Sequence, residues 1–137
     1  MLHQRIRLIL LGLLFIPALA WSESPNDEQI QGVITAQLTA FLNNDASGAW
    51  LHAHPSIQVL FGNPESFMAM VDQGYSPMKH FVQLDFLKLV QVDDMWLQTV
   101  RLLDDKGDRY DLLYALIETQ PGLFQIAGVS LEANTGI

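Results

Sequence analysis

The chain has 137 residues, no Cys, and 7 basic side chains against 15 acidic ones, for a formal net charge of −8. Without Cys there is no disulfide framework, thiolate metal site or Cys nucleophile, so a packed core must hold the fold alone. The acidity, with no basic cluster, argues against nucleic acid and anionic membrane surfaces as partners.

Residues 1–20 read as a secretory signal peptide. Arg5 and Arg7 form a basic start, an apolar run follows from Leu8, and Ala18-Leu19-Ala20 ends it as an A-x-A cleavage pattern. The uncharged stretch Leu8–Ser22 is 15 residues long, short of the roughly 20 that span a bilayer. Cleavage after Ala20 is expected, giving a periplasmic or secreted product with no stable membrane anchor. A retained anchor is the alternative. Residues 21–137 then form a single domain with its core at about 28–132.

Ser24-Pro25-Asn26-Asp27 opens a first helix: a capping side chain, a proline suited to the first position, and acids in the first turn. Ile30, Val33, Ile34, Leu38, Phe41 and Leu42 recur at helical spacing until Asn43-Asn44. Asp45 caps a weaker helix through Ala53, with Ala46, Ala49 and Trp50 on its buried stripe and Gly48 allowing a bend or a close approach. His54-Pro55 stops it, because the residue before proline avoids the α region. Ser56–Leu60 reads as one helical turn or a small strand. Phe61–Tyr75 is a punctuated short helix, with Asn63 as cap, Pro64 at the first position, and Gly74 as a residue able to take positive φ past its end.

From Lys79 the period becomes two. Val82, Leu84 and Phe86 alternate with polar residues, then Leu87 and Leu89 take over, so a β-bulge is expected near Phe86-Leu87. Val92-Asp93-Asp94 turns into a strand Met95–Leu103. Asp104–Asp108 is a hairpin loop, Arg109–Thr119 a third strand, and Gln120-Pro121-Gly122 turns into a fourth, Leu123–Leu131. The tail from Glu132 is expected to fray. Segregated helices and hairpin-linked strands predict an α+β fold: three N-terminal helical segments packed on a curved four-stranded antiparallel sheet.

That order resembles the cone of the nuclear transport factor 2-like superfamily. More narrowly, Val33–Phe41, Ala53-His54-Pro55-Ser56-Ile57-Gln58, Phe61-Gly62-Asn63-Pro64-Glu65-Ser66-Phe67 and Ile126–Leu131 resemble the secreted bacterial family called domain of unknown function 4864. Phe124 stands where that family carries Trp. The resemblance implies the cone fold and a pocket between the concave sheet face and the helices, but little chemistry, since the family has no established activity. Some superfamily relatives are isomerases or dehydratases with an Asp, His or Tyr in that pocket; others only bind.

The candidate residues each carry a structural and a chemical reading. His54 is a helix-end imidazole bonding free carbonyls, or a general base. His52 is expected to be exposed, and its two-residue spacing from His54 puts the imidazoles about 200° apart on a helix, unsuited to one metal. His80 is expected at a strand edge. Tyr75 closes the end of its helix through its hydroxyl, or donates to a ligand carbonyl. Asp85 faces solvent, or becomes a base if the bulge turns it inward. Trp50, Phe67, Tyr75, Tyr110 and Tyr114 are candidate pocket residues. The acids Asp104, Asp105 and Asp108 look superficially like a calcium loop, but their spacing fails, with Ala115 at the twelfth position. No metal site and no cofactor is expected, and neither a G-x-S-x-G elbow nor a glycine-rich phosphate loop is present. The reading favoured is a non-catalytic module for a small apolar ligand or a protein partner. An isomerase or dehydratase using His54, Tyr75 or Asp85 is the alternative. The apolar residues on both sides of Met95–Leu103 add a homodimer paired through the convex sheet face.

Overall fold

The computed structural model describes residues 24–134; the signal peptide expected over residues 1–20 lies outside them. The elements run α1 (Pro25–Leu42), α2 (Ala46–Trp50), α3 (Pro55–Phe61), α4 (Pro64–Gly74), a 3-10 turn (Ser76–Lys79), then β1 (Phe81–Val92), β2 (Met95–Asp104), β3 (Arg109–Gln120) and β4 (Leu123–Asn134). The class is α+β, with a four-stranded sheet in the order β1-β2-β3-β4 and every neighbouring pair antiparallel.

Three of the four helices start on a cap that the sequence advertises. Ser24 Oγ accepts from Asp27 N at 3.3 Å, Asp45 Oδ1 from Gly48 N at 3.0 Å, and Asn63 Oδ1 from Ser66 N at 2.8 Å. The second of these explains Gly48. A Cβ there would lie 2.2 Å from Asp45 Oδ2, so the glycine permits the carboxylate's close approach. The stretch Ser56–Leu60, left open between a turn and a strand, is helical and gives a fourth helix, α3. The helix expected with Asn63 as cap and Pro64 in first position starts there, as α4; before it Phe61 ends α3, and Gly62 breaks the chain at φ +81° with its N–H on Gln58 O at 2.8 Å. A side chain at that φ would be strained. Gly74 does not take positive φ. It is the last residue of α4, and Tyr75 caps the helix at φ −136° and ψ 31°.

The sheet has an inner and an outer face. Gln98, Val100, Leu102, Leu112, Tyr114, Leu116, Phe124 and Ile126 alternate inward and are buried against Ile30, Ile34, Leu38 and Phe41 of α1. The expected bulge is present: β1 shifts register on β2 between Phe86 and Leu89, over Leu87-Lys88. The buried amide of Gln98 serves it, with Nε2 donating to the Lys88 carbonyl at 3.3 Å and to the Thr99 carbonyl at 2.9 Å. A second bulge lies in β4, where Ala115 pairs Gly128 but Leu116 pairs Ile126. The tail expected to fray stays paired instead, Glu132 opposite Asp111 and Asn134 opposite Arg109, with Asn134 Nδ2 donating to Asp111 Oδ2 at 3.0 Å. Lys79, on the 3-10 turn, ties the helical layer together by an ion pair to Asp72 and a bond to Asn44 Oδ1 at 3.0 Å. Among the described residues no helix is long and apolar enough to cross a membrane.

Candidate functional site

β4 is an edge strand, and its bulge gives the helical layer a place to attach. The α2–α3 connection lies along it as one parallel bridge, Ala53 opposite Ile126. Ile126 N donates to His52 O and His54 N to Ile126 O, both at 2.8 Å. These bonds fill the outward backbone groups of Ile126, which on a bare edge would invite another strand. They also fix where α3 begins. His54 Nδ1 accepts from Ser56 N at 3.1 Å and lies 2.8 Å from Ser56 Oγ, so the imidazole is the N-cap of α3. That corrects the expected polarity: His54 serves N–H groups at a helix start, not carbonyls at a helix end. Gln58 Nε2 holds α3 to α2 through the Trp50 carbonyl at 3.1 Å.

No residue of α3 is buried, and Val59 and Leu60 are 86% and 71% exposed. Beneath α3, and bounded by α1, α4 and β4, is a cavity of about 200 Å³. Its lining is Gln37 and Phe41 from α1, Ala53, Ile57, Leu60 and Phe61 from the α3 region, Phe67, Met70 and Val71 from α4, Tyr75 and Met78 beyond it, and Ile126, Gly128 and Val129 from β4. Phe67 organises the aromatic part, with the rings of Trp50, Phe41 and Phe61 centred 5.7, 5.9 and 5.9 Å away. Tyr75 closes the far end by donating its hydroxyl to the Val129 carbonyl at 3.1 Å. Among the described residues the lining holds no carboxylate, imidazole, ammonium or guanidinium group.

The sequence-derived candidates divide among several places. Phe67 and Tyr75 line the cavity. Trp50 stands behind it, edge-on to Phe67. Tyr110 lies instead in a separate polar cleft with His80, Asp104, Asp105 and Lys106. Tyr114 is fully buried in the core, outside this cavity; among the described residues its hydroxyl has no partner, and burial pushes its pKa above the ordinary tyrosine value. Trp50, Tyr110 and Tyr114 are thus corrected as pocket residues. His54 caps α3 outside the lining, and Asp85 is exposed, bonded by Gln83 Nε2 at 2.8 Å and facing Arg101 across β1–β2. The bulge does not turn Asp85 inward, because it lies after Phe86. His52 is half-buried rather than exposed, and desolvation pushes its pKa below the ordinary histidine value. In the hairpin loop Asp104 Oδ1 accepts from Lys106 N and Asp108 N at 3.0 and 2.9 Å, so that carboxylate serves the loop's own backbone.

On the outer sheet face Arg101 makes two bonds to Asp111, Nε to Oδ1 at 2.8 Å and a terminal nitrogen to Oδ2 at 3.1 Å. Those bonds hold the Asp111 carboxyl below its usual range and raise Arg101 above its own.

Sequence reasoning missed Gln37. It sits 1% exposed on the apolar stripe of α1, seven residues after Ile30 and three before Ala40. A polar residue at a stripe position was the available signal. Gln37 Nε2 donates to the Ala49 carbonyl at 3.3 Å.

A family model described as a domain of unknown function (DUF4864) matches residues 23–137. The chain belongs to that family. This member is built as four helices and a curved four-stranded antiparallel sheet. Among solved structures, an NTF2-like protein of unknown function from Burkholderia pseudomallei K96243 is similar at 14% identity and a TM-score of 0.37, over 82% of this chain and 93% of that one. No curated protein matches the chain significantly.

Proposed function

We propose that this family member is a non-catalytic periplasmic or secreted module that holds a small apolar ligand in the cavity between α1, α3, α4 and β4. One observation carries the reading: an apolar cavity of about 200 Å³, walled by aromatic and thioether side chains, sits under a helix with no buried residue of its own. Such an apolar lining rewards an apolar occupant, as a cavity of about 150 Å³ does for benzene. A catalytic reading needs an acid or base within hydrogen-bond reach of the reacting atom. His54 and Asp85 are committed to other contacts outside the lining, which leaves Tyr75, whose proton is given to Val129 O.

The cleavable leader supports the compartment. Native mass spectrometry of the protein purified from its own cell envelope tests compartment and ligand together. The expected result is a chain beginning after Ala20 with a neutral small molecule retained. A ligand-free chain that retains residues 1–20, or turnover of a small carbonyl substrate lost on changing Tyr75, would overturn the reading.

Pairing of two copies is the partner reading that the outer sheet face favours. There Leu97, Leu113 and Ile117 alternate outward beside Val92, and Val92 and Leu113 are 52% and 42% exposed. Sedimentation that gives only a monomer at high concentration would remove it.

A further inference from the structure

We propose that the cavity selects a neutral, ring-sized molecule carrying one hydroxyl or N–H donor, of the phenol or indole class. This rests on the ligand-binding reading above and narrows it. Size comes first. At about 200 Å³ the cavity is below the roughly 300–1,000 Å³ of sites for drug-sized ligands and somewhat above the volume that accepts benzene. One ring, or two fused rings reaching toward the rim at Leu60, is what fits.

Shape and surface come second. Phe41, Phe61, Phe67 and Tyr75 present ring faces and edges, and Met70 and Met78 add thioethers. Edge-to-face and sulfur–ring contacts reward an aromatic guest beyond its buried area.

Polarity decides the class. Gln37 is 1% exposed, and the Ala49 carbonyl, an acceptor, orients the amide so that nitrogen faces it. Among the described residues no group donates to Gln37 Oε1, which is the one acceptor on a cavity-lining side chain left without a proton. At the other end Tyr75 gives its proton to Val129 O and keeps a lone pair free. Each polar side chain of the lining therefore keeps an oxygen able to accept. A hydroxyl or N–H completes them. A carboxylate would meet oxygen lone pairs with no cation in the lining, and an ammonium would be desolvated with no counter-charge, so both are rejected.

The test is calorimetric titration of the full-length secreted chain with phenol, anisole, indole, 1-methylindole, toluene and benzoate at neutral pH. Phenol and indole should bind at least about fivefold more tightly than their methylated counterparts, the ratio expected for one net hydrogen bond. Benzoate should not bind. Gln37→Met, of similar length, should bring the phenol-to-anisole and indole-to-1-methylindole ratios down toward one. The wild-type comparison stands even if this variant fails to fold. Equal binding of phenol and anisole, or tighter binding of benzoate, overturns the donor inference and leaves an apolar site intact. Failure of all six compounds to bind overturns both this inference and the ligand-binding reading.

Discussion

Two regions of the inner sheet face have the same kind of lining and different filling. Under α1 the central strands are packed solid: Ile30, Ile34 and Leu38 meet Val100, Leu102 and Leu112, all with no exposed surface. At the β4 edge, under α3 and α4, similar side chains line about 200 Å³ of space that opens at Leu60. The difference lies in the backbone. Regular periods of 3.6 and 2 meet in the centre, so side chains interdigitate to interior density. At the edge, the β4 bulge and the short α3 break both periods, and Gly62 turns the chain away before another helical turn can cover the gap. The two regions also treat polar groups differently. Among the described residues the packed centre buries two polar atoms without partners, Gln98 Oε1 and Tyr114 Oη, whereas Tyr75 at the cavity gives its hydroxyl proton to Val129 O.

The sharpest way to expose this contrast is truncation. Leu102→Ala should cost about 2–5 kcal/mol, because a fully buried leucine leaves a void in a packed region. Leu60→Ala, at an exposed rim position, should stay within about 0.5 kcal/mol in denaturant unfolding. Comparable costs at the two sites would erase the distinction.

Removing an orphan polar atom comes next. Tyr114→Phe keeps the ring and deletes a buried hydroxyl with no partner, so it should stabilise by about 1 kcal/mol and raise the melting temperature by a few degrees. A fall would mean that the hydroxyl is satisfied in solution. At the cavity the same chemistry should act with opposite sign. Tyr75→Phe strands the Val129 carbonyl and should destabilise by about 1 kcal/mol. Gains at Tyr75 or losses at Tyr114 would reverse the comparison.

The smallest effect is one of pH. His52 is half-buried beside the bridge to β4, with its pKa lowered by desolvation. The unfolded chain then binds more protons, so the stability it contributes is complete above its unfolded pKa of about 6.5 and is lost as pH falls through the lower folded value. His52→Gln should flatten a plot of melting temperature against pH in that window. An unchanged slope would remove His52 as its source.

Most of the fold could be read from the residues, because caps and periods are local. Ser24, Asp45 and Asn63 mark helix starts through bonds to groups three residues on, and the slip from Phe86 to Leu87 marks a bulge through the alternation alone. The start of α3 was harder, because His54 caps it with an imidazole nitrogen, a role more usual for Ser, Thr, Asp or Asn. The continuation of β4 to Asn134 depends on a side chain of β3, Asp111, and has no local mark. The cavity was only partly legible. Phe67 and Tyr75 were found, but Ile57, Met78 and Val129 come together only through the bridge of Ala53 to Ile126, a contact between residues 73 positions apart. Tyr110 and Tyr114 were misplaced for a related reason. They share a face of β3, but the layer above differs, open to the polar cleft at one and closed at the other.

The central claim is that the edge cavity, not the packed centre or the outer face, receives a small neutral ligand. Methionine methyl NMR tests it within one sample. Met70 and Met78 line the cavity, and Met95 lies in β2 away from it, opposite Val92 and Ile117. On titration with indole, the Met70 and Met78 methyl signals should shift together and saturate while that of Met95 stays in place. Unmoved cavity methyls, or a Met95 shift of equal size, would contradict the claim.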